Sequence, residues 1–398
     1  MTDRHLPSLA PEVDWVVSAL RVRYGEDPAP VLRSPPGDMV WDLVFATADR
    51  NAVVQLVEPV ARELTTVPAP AMALLEGEAR RITLANLDIG AELIRVLDRL
   101  GEAGITGLPF KGPVLAQTAY ADVGSRRFLD MDVLVRPGSV PDALQVLRGA
   151  GYRPFFDLTE RQWRAARRHE HAAALEDDAG HVFELHWAIA DRASMLPRDC
   201  GPLFERATTV SLGGRQVPTL DPTDQLAIVA IHGGRHLWAR LAWVCDVAEA
   251  ATTPGADPDR AYDMARGAGY GKAVPVAVRV AERVLGTPPP SERLRHAASA
   301  RSIDAICDAL LALVLAPGGP ERASARTFAR QRARIMDRRS AALRGMVRAT
   351  VTPTASDWGV VQLPDALWPV YYPVRLARLL SSYVAGDRRP GDAGLGTP

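Results

Sequence analysis

The sequence predicts an α+β protein, in which a small mixed sheet is flanked by N- and C-terminal helical regions. Apolar residues recur at helical spacing near both ends of the chain, whereas the middle holds short β-branched runs separated by turn residues and helical stretches. We therefore expect a helical region at 1–86, an α/β core at 87–195, a helical domain at 196–385 and a flexible tail at 386–398.

Composition narrows the functional classes. Apolar residues make up 47% and charged residues 24% of 398 residues, which is typical of a globular protein. The 47 basic residues balance the 47 acidic ones, which makes nucleic acid an unlikely partner. Three widely separated cysteines indicate neither a disulfide framework nor a CxxC zinc site. The longest apolar run, at 309–316, is too short to span a bilayer, and no signal peptide is visible. We expect a cytoplasmic protein without a membrane partner.

The N-terminal region reads as helices interrupted by prolines, and nothing catalytic stands out in it. Residues 87–101 form a strongly amphipathic pattern that ends at Gly101, which predicts a helix packed on the core. A short strand is predicted at 104–110.

A lysine and a glycine follow this strand. Lys111 and Gly112 precede Pro113, which suits the first position of a helix predicted at 114–120. The free N–H groups of a helix N-terminus beside a lysine attract phosphate, and glycine lets the backbone approach a ligand. The alternative is a loop lysine in water.

Two aspartates lie in the strand predicted at 131–135 and just before it. Asp130 and Asp132 are separated by one residue, so they point to the same face. Adjacent carboxylates repel each other unless a cation lies between them, and Mg²⁺, or Mn²⁺, prefers such oxygen ligands. The simpler alternative is that Arg126 and Arg127 neutralise the pair. One of these two arginines is also predicted to neutralise developing charge on the phosphates, because arginine suits bidentate phosphate contact.

A hairpin is predicted from 171–176 and 181–187 around the turn at 177–180. Glu184 and His186 share one face of its second strand. A third acid beside two others is what a two-metal displacement needs, so Glu184 is predicted as metal ligand or proton acceptor. The alternative is a salt-bridged glutamate on an edge strand. His186 either contacts phosphate, orients Glu184 or is structural.

Helices dominate from residue 188 onward. His232 and His236 have the i, i+4 spacing of a zinc helix, but the glutamate of HExxH is missing. We expect them to contact the nucleotide or the acceptor, or to pack in the helical domain. The apolar face at 364–382 is predicted to dock on the body of the protein.

Several of these pieces together resemble one family. They are Lys111-Gly112, Leu115, Tyr120, the Arg126-Arg127 pair, the D-M-D-V-L-V run from Asp130, the E-L-H-W run from Glu184, and the segment H-G-x-x-H-x-W-x-R-L-x-W-x-x-D from His232 to Asp246. The combination is similar to the bacterial nucleotidyltransferase-like family of the DNA polymerase β-type superfamily.

The resemblance implies a minimal nucleotidyltransferase core that binds Mg²⁺ through Asp130, Asp132 and Glu184. It implies transfer of a nucleoside monophosphate from ATP or another NTP, with release of pyrophosphate. Lys111 and Gly112 take the place of the Gly-Ser dipeptide that most of the superfamily carries at the phosphate loop.

The neutral charge favours a small-molecule or peptide acceptor, and similar proteins are often tied to natural-product or polysaccharide biosynthesis. Two alternatives stay open: a toxin-like enzyme acting on tRNA, and a non-catalytic NTP-binding scaffold. The base, the acceptor and the oligomeric state do not follow from the sequence.

Overall fold

The computed structural model describes residues 6, 9–190, 199–316 and 325–384, so the predicted tail at 386–398 lies outside the described residues. Five helices precede the sheet. They are α1 (Pro11–Arg23), α2 (Pro30–Arg33), α3 (Trp41–Arg50), α4 (Val54–Arg62) and α5 (Ala69–Glu102). The amphipathic pattern predicted at 87–101 is thus the second half of a longer helix. α5 runs through residues 86 and 87, where the sequence analysis divides the chain. This division remains a prediction.

The core alternates strands and helices. It consists of β1 (Leu108–Pro109), α6 (Gly112–Ala119), β2 (Asp130–Leu134), α7 (Val140–Gly149), β3 (Arg153–Pro154), α8 (Glu160–His169), β4 (Ala172–Glu176) and β5 (Val182–His186). The strands form one mixed sheet in the order β1-β2-β5-β4-β3. The pair β2–β5 is parallel, and the other neighbouring pairs are antiparallel. This architecture confirms the predicted α+β class and the β4–β5 hairpin.

The remainder is mostly helical and contains a second hairpin, β6–β7, near its start. Its elements are α9 (Gly201–Glu205), β6 (Thr208–Leu212), β7 (Arg215–Thr219), α10 (Pro222–Arg235), α11 (Leu241–Thr252), α12 (Pro258–Gly267), α13 (Ala273–Leu285), α14 (Glu292–Ala298), α15 (Arg301–Val314), α16 (Ala325–Ile335), α17 (Arg339–Val351), α18 (Ala355–Val360) and α19 (Tyr371–Val384). The β6–β7 hairpin was not predicted, because the Gly213-Gly214 pair at its tip reads as an isolated turn.

Two apolar clusters hold the fold together. One unites the N-terminal helices with α10, α11, α13 and α15, and the other packs α5, α7 and the strands around Met131, Val133, Phe183 and Leu185. The second cluster fixes one face of β2 and β5, so the polar side chains of these strands are confined to the opposite face. Among the helices that the model describes, none combines the length and apolarity needed to cross a bilayer.

Candidate active site

The acidic residues are brought together by the pairing of β2 with β5. The two strands run parallel, and Asp132 lies directly opposite Glu184. Residues opposite each other in register point to the same face of a sheet, so Asp130, Asp132, Glu184 and His186 share one face. β5 is an inner strand between β2 and β4. The alternative prediction, in which Glu184 lies on an edge strand, therefore does not hold.

A compact polar cluster forms around Asp132. The Nζ of Lys111 donates to Asp132 Oδ1 at 2.8 Å, and His186 Nε2 lies 3.0 Å from the same oxygen and 3.1 Å from Glu184 Oε2. Asp132, Glu184 and His186 are only 3%, 8% and 2% exposed. Their ligand atoms all lie within 4.8 Å of one another. The structure therefore groups these three most tightly, with Asp130 beside them on the same strand.

Burial and mutual repulsion set the charges of the acids. Burial, with the neighbouring Asp132 and Glu184, raises the pKa of Asp130 to about 7. Burial also acts to raise the pKa of Asp132, but Lys111 and His186 outweigh it and hold that pKa well below its usual range. The face thus holds one strongly ionised carboxylate and one that gives up its proton near neutral pH.

The pKa values of Lys111 and His186 are both raised by the acids around them. Burial acts to lower the pKa of Lys111, but Asp132, Glu184 and Asp130 together raise it. Burial likewise opposes the charged form of His186, and hydrogen bonds to Asp132 and Glu184 raise its pKa. The ammonium group is therefore held among the carboxylates, and the predicted alternative of a loop lysine in water is wrong for this structure.

The close packing of α6 against the sheet requires glycine at position 112. Its φ is +54°, and a Cβ at this position would lie 2.9 Å from the carbonyl oxygen of Asp130. Glycine therefore lets the start of α6 pack against β2. Gln225 from α10 donates to the carbonyl of Phe110 at 2.7 Å, which fixes the loop just before Lys111. The N-terminus of α6 is in this way placed beside the acids.

Neither arginine pairs with Asp130 or Asp132. Arg126 makes a two-pronged ion pair with Asp246 on α11, from Nε at 2.7 Å and from Nη2 at 3.0 Å. Arg127 pairs with Asp49 on α3 at 2.6 Å. The structural alternative in which these arginines neutralise the two aspartates is thus wrong, and Lys111 takes that place.

Arg126 nevertheless lies close enough to influence the site. Its pKa is raised: burial acts against its charge, but Asp246 outweighs it, and Tyr120 and Asp130 add to the increase. Tyr120 donates to Asp246 Oδ1 at 2.8 Å, which completes a buried group of three side chains. Arg127 is directed towards Asp49 and Glu78 of the N-terminal helices instead. Of the two predicted phosphate-binding arginines, the geometry favours Arg126.

The two C-terminal histidines lie in an aromatic group on this side of the protein. The rings of His232 and His236 are 4.6 Å apart, and the ring of Trp243 lies 5.5 and 5.2 Å from them. Burial lowers the pKa of His232 well below its usual value, and the positive charge of Lys111 adds to the effect. His232 is therefore neutral beside the lysine of the cluster. Asp246 on α11, which follows these histidines in the sequence, is bound by Arg126.

Some residues that hold the site were not predicted in their roles. Asp246 and Tyr120 orient Arg126, and Asn86 of α5 donates to the carbonyls of Val123 and Arg126, both at 2.7 Å. Asn86 is almost fully buried within a helix, which for an amide side chain requires such partners. In the sequence, Asn86 is a single polar residue within an amphipathic helix, and this position alone does not predict which groups it binds.

The donor set suits a divalent cation. Three carboxylates face one side of the sheet, where Lys111 and His186 both contact Asp132. Carboxylate oxygens are the ligands that Mg²⁺ prefers, and Mn²⁺ also accepts imidazole nitrogen. Asp130, Asp132 and Glu184 would hold such an ion, and Lys111 would have to move away from Asp132 for this to happen.

Comparison with known proteins points to one family. No curated protein and no solved structure matches the chain. A family model described as uncharacterised nucleotidyltransferase matches residues 37–286, which include the lysine-glycine loop, the acidic strand, Glu184 and both C-terminal histidines. The match covers more than half of the chain, so the protein belongs to this nucleotidyltransferase family.

Proposed function

We propose that the protein transfers a nucleoside monophosphate from a magnesium-bound NTP to a small-molecule or peptide acceptor. The observation that carries the proposal is the register of β2 with β5, because it sets Glu184 beside Asp132 within reach of Lys111. Membership of the family supports the reaction type. A tailoring step in natural-product or polysaccharide biosynthesis is the setting that we propose.

The reaction is a substitution at phosphorus. An acceptor oxygen forms a bond to the α-phosphorus, the bond from that phosphorus to the bridging oxygen breaks, and pyrophosphate leaves. Glu184 takes the proton of the acceptor hydroxyl. A bound Mg²⁺ would polarise the phosphate oxygens and neutralise developing charge. Asp130 and Asp132 would hold that ion, and Glu184 would complete its ligands.

The basic side chains bind and orient the triphosphate. Lys111, once released from Asp132, neutralises the β- and γ-phosphates, and the N–H groups at the start of α6 face the same anion. Arg126 uses Nε and Nη2 on Asp246. We propose that its remaining Nη1 contacts the substrate. The neutral ring of His232 and the ring of His236 beside it line the side where the base or the acceptor lies.

Pyrophosphate release in the presence of Mg²⁺ and a panel of four NTPs tests the proposal. We expect Asp132→Asn and Glu184→Gln to lower kcat at least a hundredfold, because each removes a charge from the metal-binding face. The matched control is Asp178→Asn, which changes an exposed acid at the tip of the β4–β5 hairpin and leaves this face intact. The proposal fails if nucleotide binds but no pyrophosphate forms with any acceptor pool, or if the control loses as much activity as Asp132→Asn.

A further inference from the structure

The C-terminal helices carry an unusual concentration of exposed apolar side chains. Sixteen large apolar side chains are exposed in the described chain, and ten of them lie between residues 343 and 380. They are Leu343, Met346, Val347, Val351, Val360, Leu367, Val370, Tyr372, Leu376 and Leu380. The sequence pattern at 364–382 predicted that this apolar face docks on the body. The structure buries Tyr371 but leaves much of the face in solvent, and contiguous exposed apolar surface marks interaction sites.

The apolar residues of α17 form one stripe. Leu343, Met346, Val347 and Val351 are spaced i, i+3, i+4 and i+8, which places them on one side of a helix. Leu343 and Val347 are 61% and 53% exposed, so this side faces solvent. A helix that packs on a protein body normally directs such a stripe inward. α17 instead directs it outward.

α19 repeats the arrangement beside it. Tyr372, Leu376 and Leu380 recur every four residues and are exposed, with Leu380 at 65%. The guanidinium of Arg375 donates to the carbonyl of Ala349 at 2.6 Å, which ties α19 to the end of α17. The two exposed stripes therefore lie on adjacent helices that are fixed to each other.

Positive charge accompanies the apolar surface. Residues 325–351 contain eight arginines and one acid, Asp337, although the whole chain has no net charge. Arg338, Arg344 and Arg348 are exposed on or next to α17. The spacing of Arg344 and Arg348 places them along one edge of the apolar stripe. The face of α17 and α19 is thus both apolar and basic.

A cavity beside this face adds a place for an anionic group. It has a volume of about 860 Å³ and lies between the end of α12 and the start of α17. Arg266, Arg338 and Arg344 line it, together with the glycine-containing turn at 267–271. Lys272 and the three arginines outnumber Asp263 and Asp337 in the lining, so the cavity has a net positive charge. It therefore favours a phosphate, since arginine binds phosphate through paired N–H groups.

We propose that the face formed by α17 and α19 binds the surface of an anionic phospholipid bilayer. Exposed apolar side chains beside arginines suit the boundary between acyl chains and anionic headgroups. A second copy of the chain would bring the arginines of both copies together, which is repulsive. Nucleic acid would use the arginines but gain little from aliphatic side chains. The proposal concerns contact with a bilayer surface, which requires no spanning helix, and it replaces the expectation from the sequence that the protein has no membrane partner.

Co-sedimentation of the full-length protein with lipid vesicles tests the proposal. We expect binding to vesicles of phosphatidylcholine with 30% phosphatidylglycerol, and much weaker binding to pure phosphatidylcholine. Leu343→Ser with Val347→Ser should lower the partition coefficient at least tenfold. Arg344→Glu with Arg348→Glu should lower it by about fivefold or more for each arginine, which corresponds to about 1 kcal/mol per basic residue.

Two matched variants control for general effects. Arg164→Glu with Arg168→Glu makes the same change in net charge on α8, and Leu84→Ser with Leu87→Ser removes two exposed leucines from α5. Both should bind vesicles like the unchanged protein. The proposal is overturned if the controls lose binding equally, if no vesicle binding occurs, or if the face pairs two copies in light scattering. Binding of tRNA through Arg344 and Arg348 without vesicle binding would also overturn it.

Discussion

The buried ion pair between Arg126 and Asp246 offers the sharpest single test of the site. Asp246 is 4% and Arg126 11% exposed, so solvent screens their interaction little. Asp246→Asn keeps the shape of the side chain but removes its charge. One amide N–H would then face Nη2 of Arg126, so the two-pronged ion pair is reduced to one hydrogen bond from the charged guanidinium to a neutral oxygen.

The cost follows from the geometry. Removing one partner of a buried ion pair costs about 3–5 kcal/mol, and the retained contacts to Tyr120 and Nε bring the expected loss in unfolding free energy to about 2–4 kcal/mol. Since Arg126 then loses its fixed orientation, kcat/KM for the NTP should fall at least tenfold, mostly through KM. Urea unfolding measures the first effect, and pyrophosphate release per folded molecule measures the second.

Asp224→Asn supplies a matched control for this prediction. Asp224 on α10 is fully buried and binds Arg206 with the same two-pronged geometry, at 2.9 Å for both contacts. Arg206 is 32% exposed, so the control should lose less stability, about 1–2 kcal/mol, and should keep kcat/KM within twofold. If both variants lower kcat/KM equally per folded molecule, Arg126 has no special role at the site and the reasoning is refuted.

Four further predictions concern the acid cluster and the glycine at the start of α6. Because the pKa of Asp130 is about 7 when folded and its ordinary value is 3.8, its ionisation disfavours folding increasingly from about pH 4 to pH 7. Asp130→Asn should therefore raise the unfolding free energy by about 1–3 kcal/mol above pH 7 and by progressively less towards pH 4, as urea unfolding at each pH would show. For the unchanged protein, calorimetry should find tighter Mg²⁺ binding at pH 8 than at pH 6, since the ion competes with the proton on Asp130. Lys111→Ala should tighten Mg²⁺ binding but weaken NTP binding, and calorimetry that showed both weakened would contradict the proposed movement of this lysine. Gly112→Ala should cost about 1–3 kcal/mol in urea unfolding, because of its positive φ and the close carbonyl of Asp130. Gly138→Ala, where a Cβ meets no atom within 4 Å, should cost far less.

The parts of the site that were predicted from sequence are those that local periodicity determines. A run such as Asp130 to Leu134 can only be a strand with its acids on one face, and the hairpin ending at His186 follows from its turn residues. The face shared by Glu184 and His186 followed from the same alternation. Such patterns need no knowledge of distant residues.

The partners of the charged residues were not predicted, because they depend on tertiary packing. Arg126 and Asp246 are 120 residues apart, and Asn86 reaches a loop 40 residues away. Both aspartates of the acidic strand had two nearby arginines in sequence, yet Lys111 is the residue that pairs with Asp132. The two arginines are close to the aspartates in sequence but do not pair with them, because the loop between them directs Arg126 towards α11 and Arg127 towards α3.

In the proposed mechanism, the pairing of Lys111 with Asp132 links the binding of phosphate to the binding of the metal ion. The ammonium group occupies the same carboxylate oxygen that a divalent cation would use, so the two compete directly. An ion that binds to Asp132 releases Lys111 for the phosphates, and this exchange replaces one positive charge beside Asp132 with another of higher valence. Buried Asp132 is therefore never left unpaired, which would be costly at 3% exposure. It follows that metal and NTP should bind with positive coupling in the unchanged protein and with less coupling in Lys111→Ala.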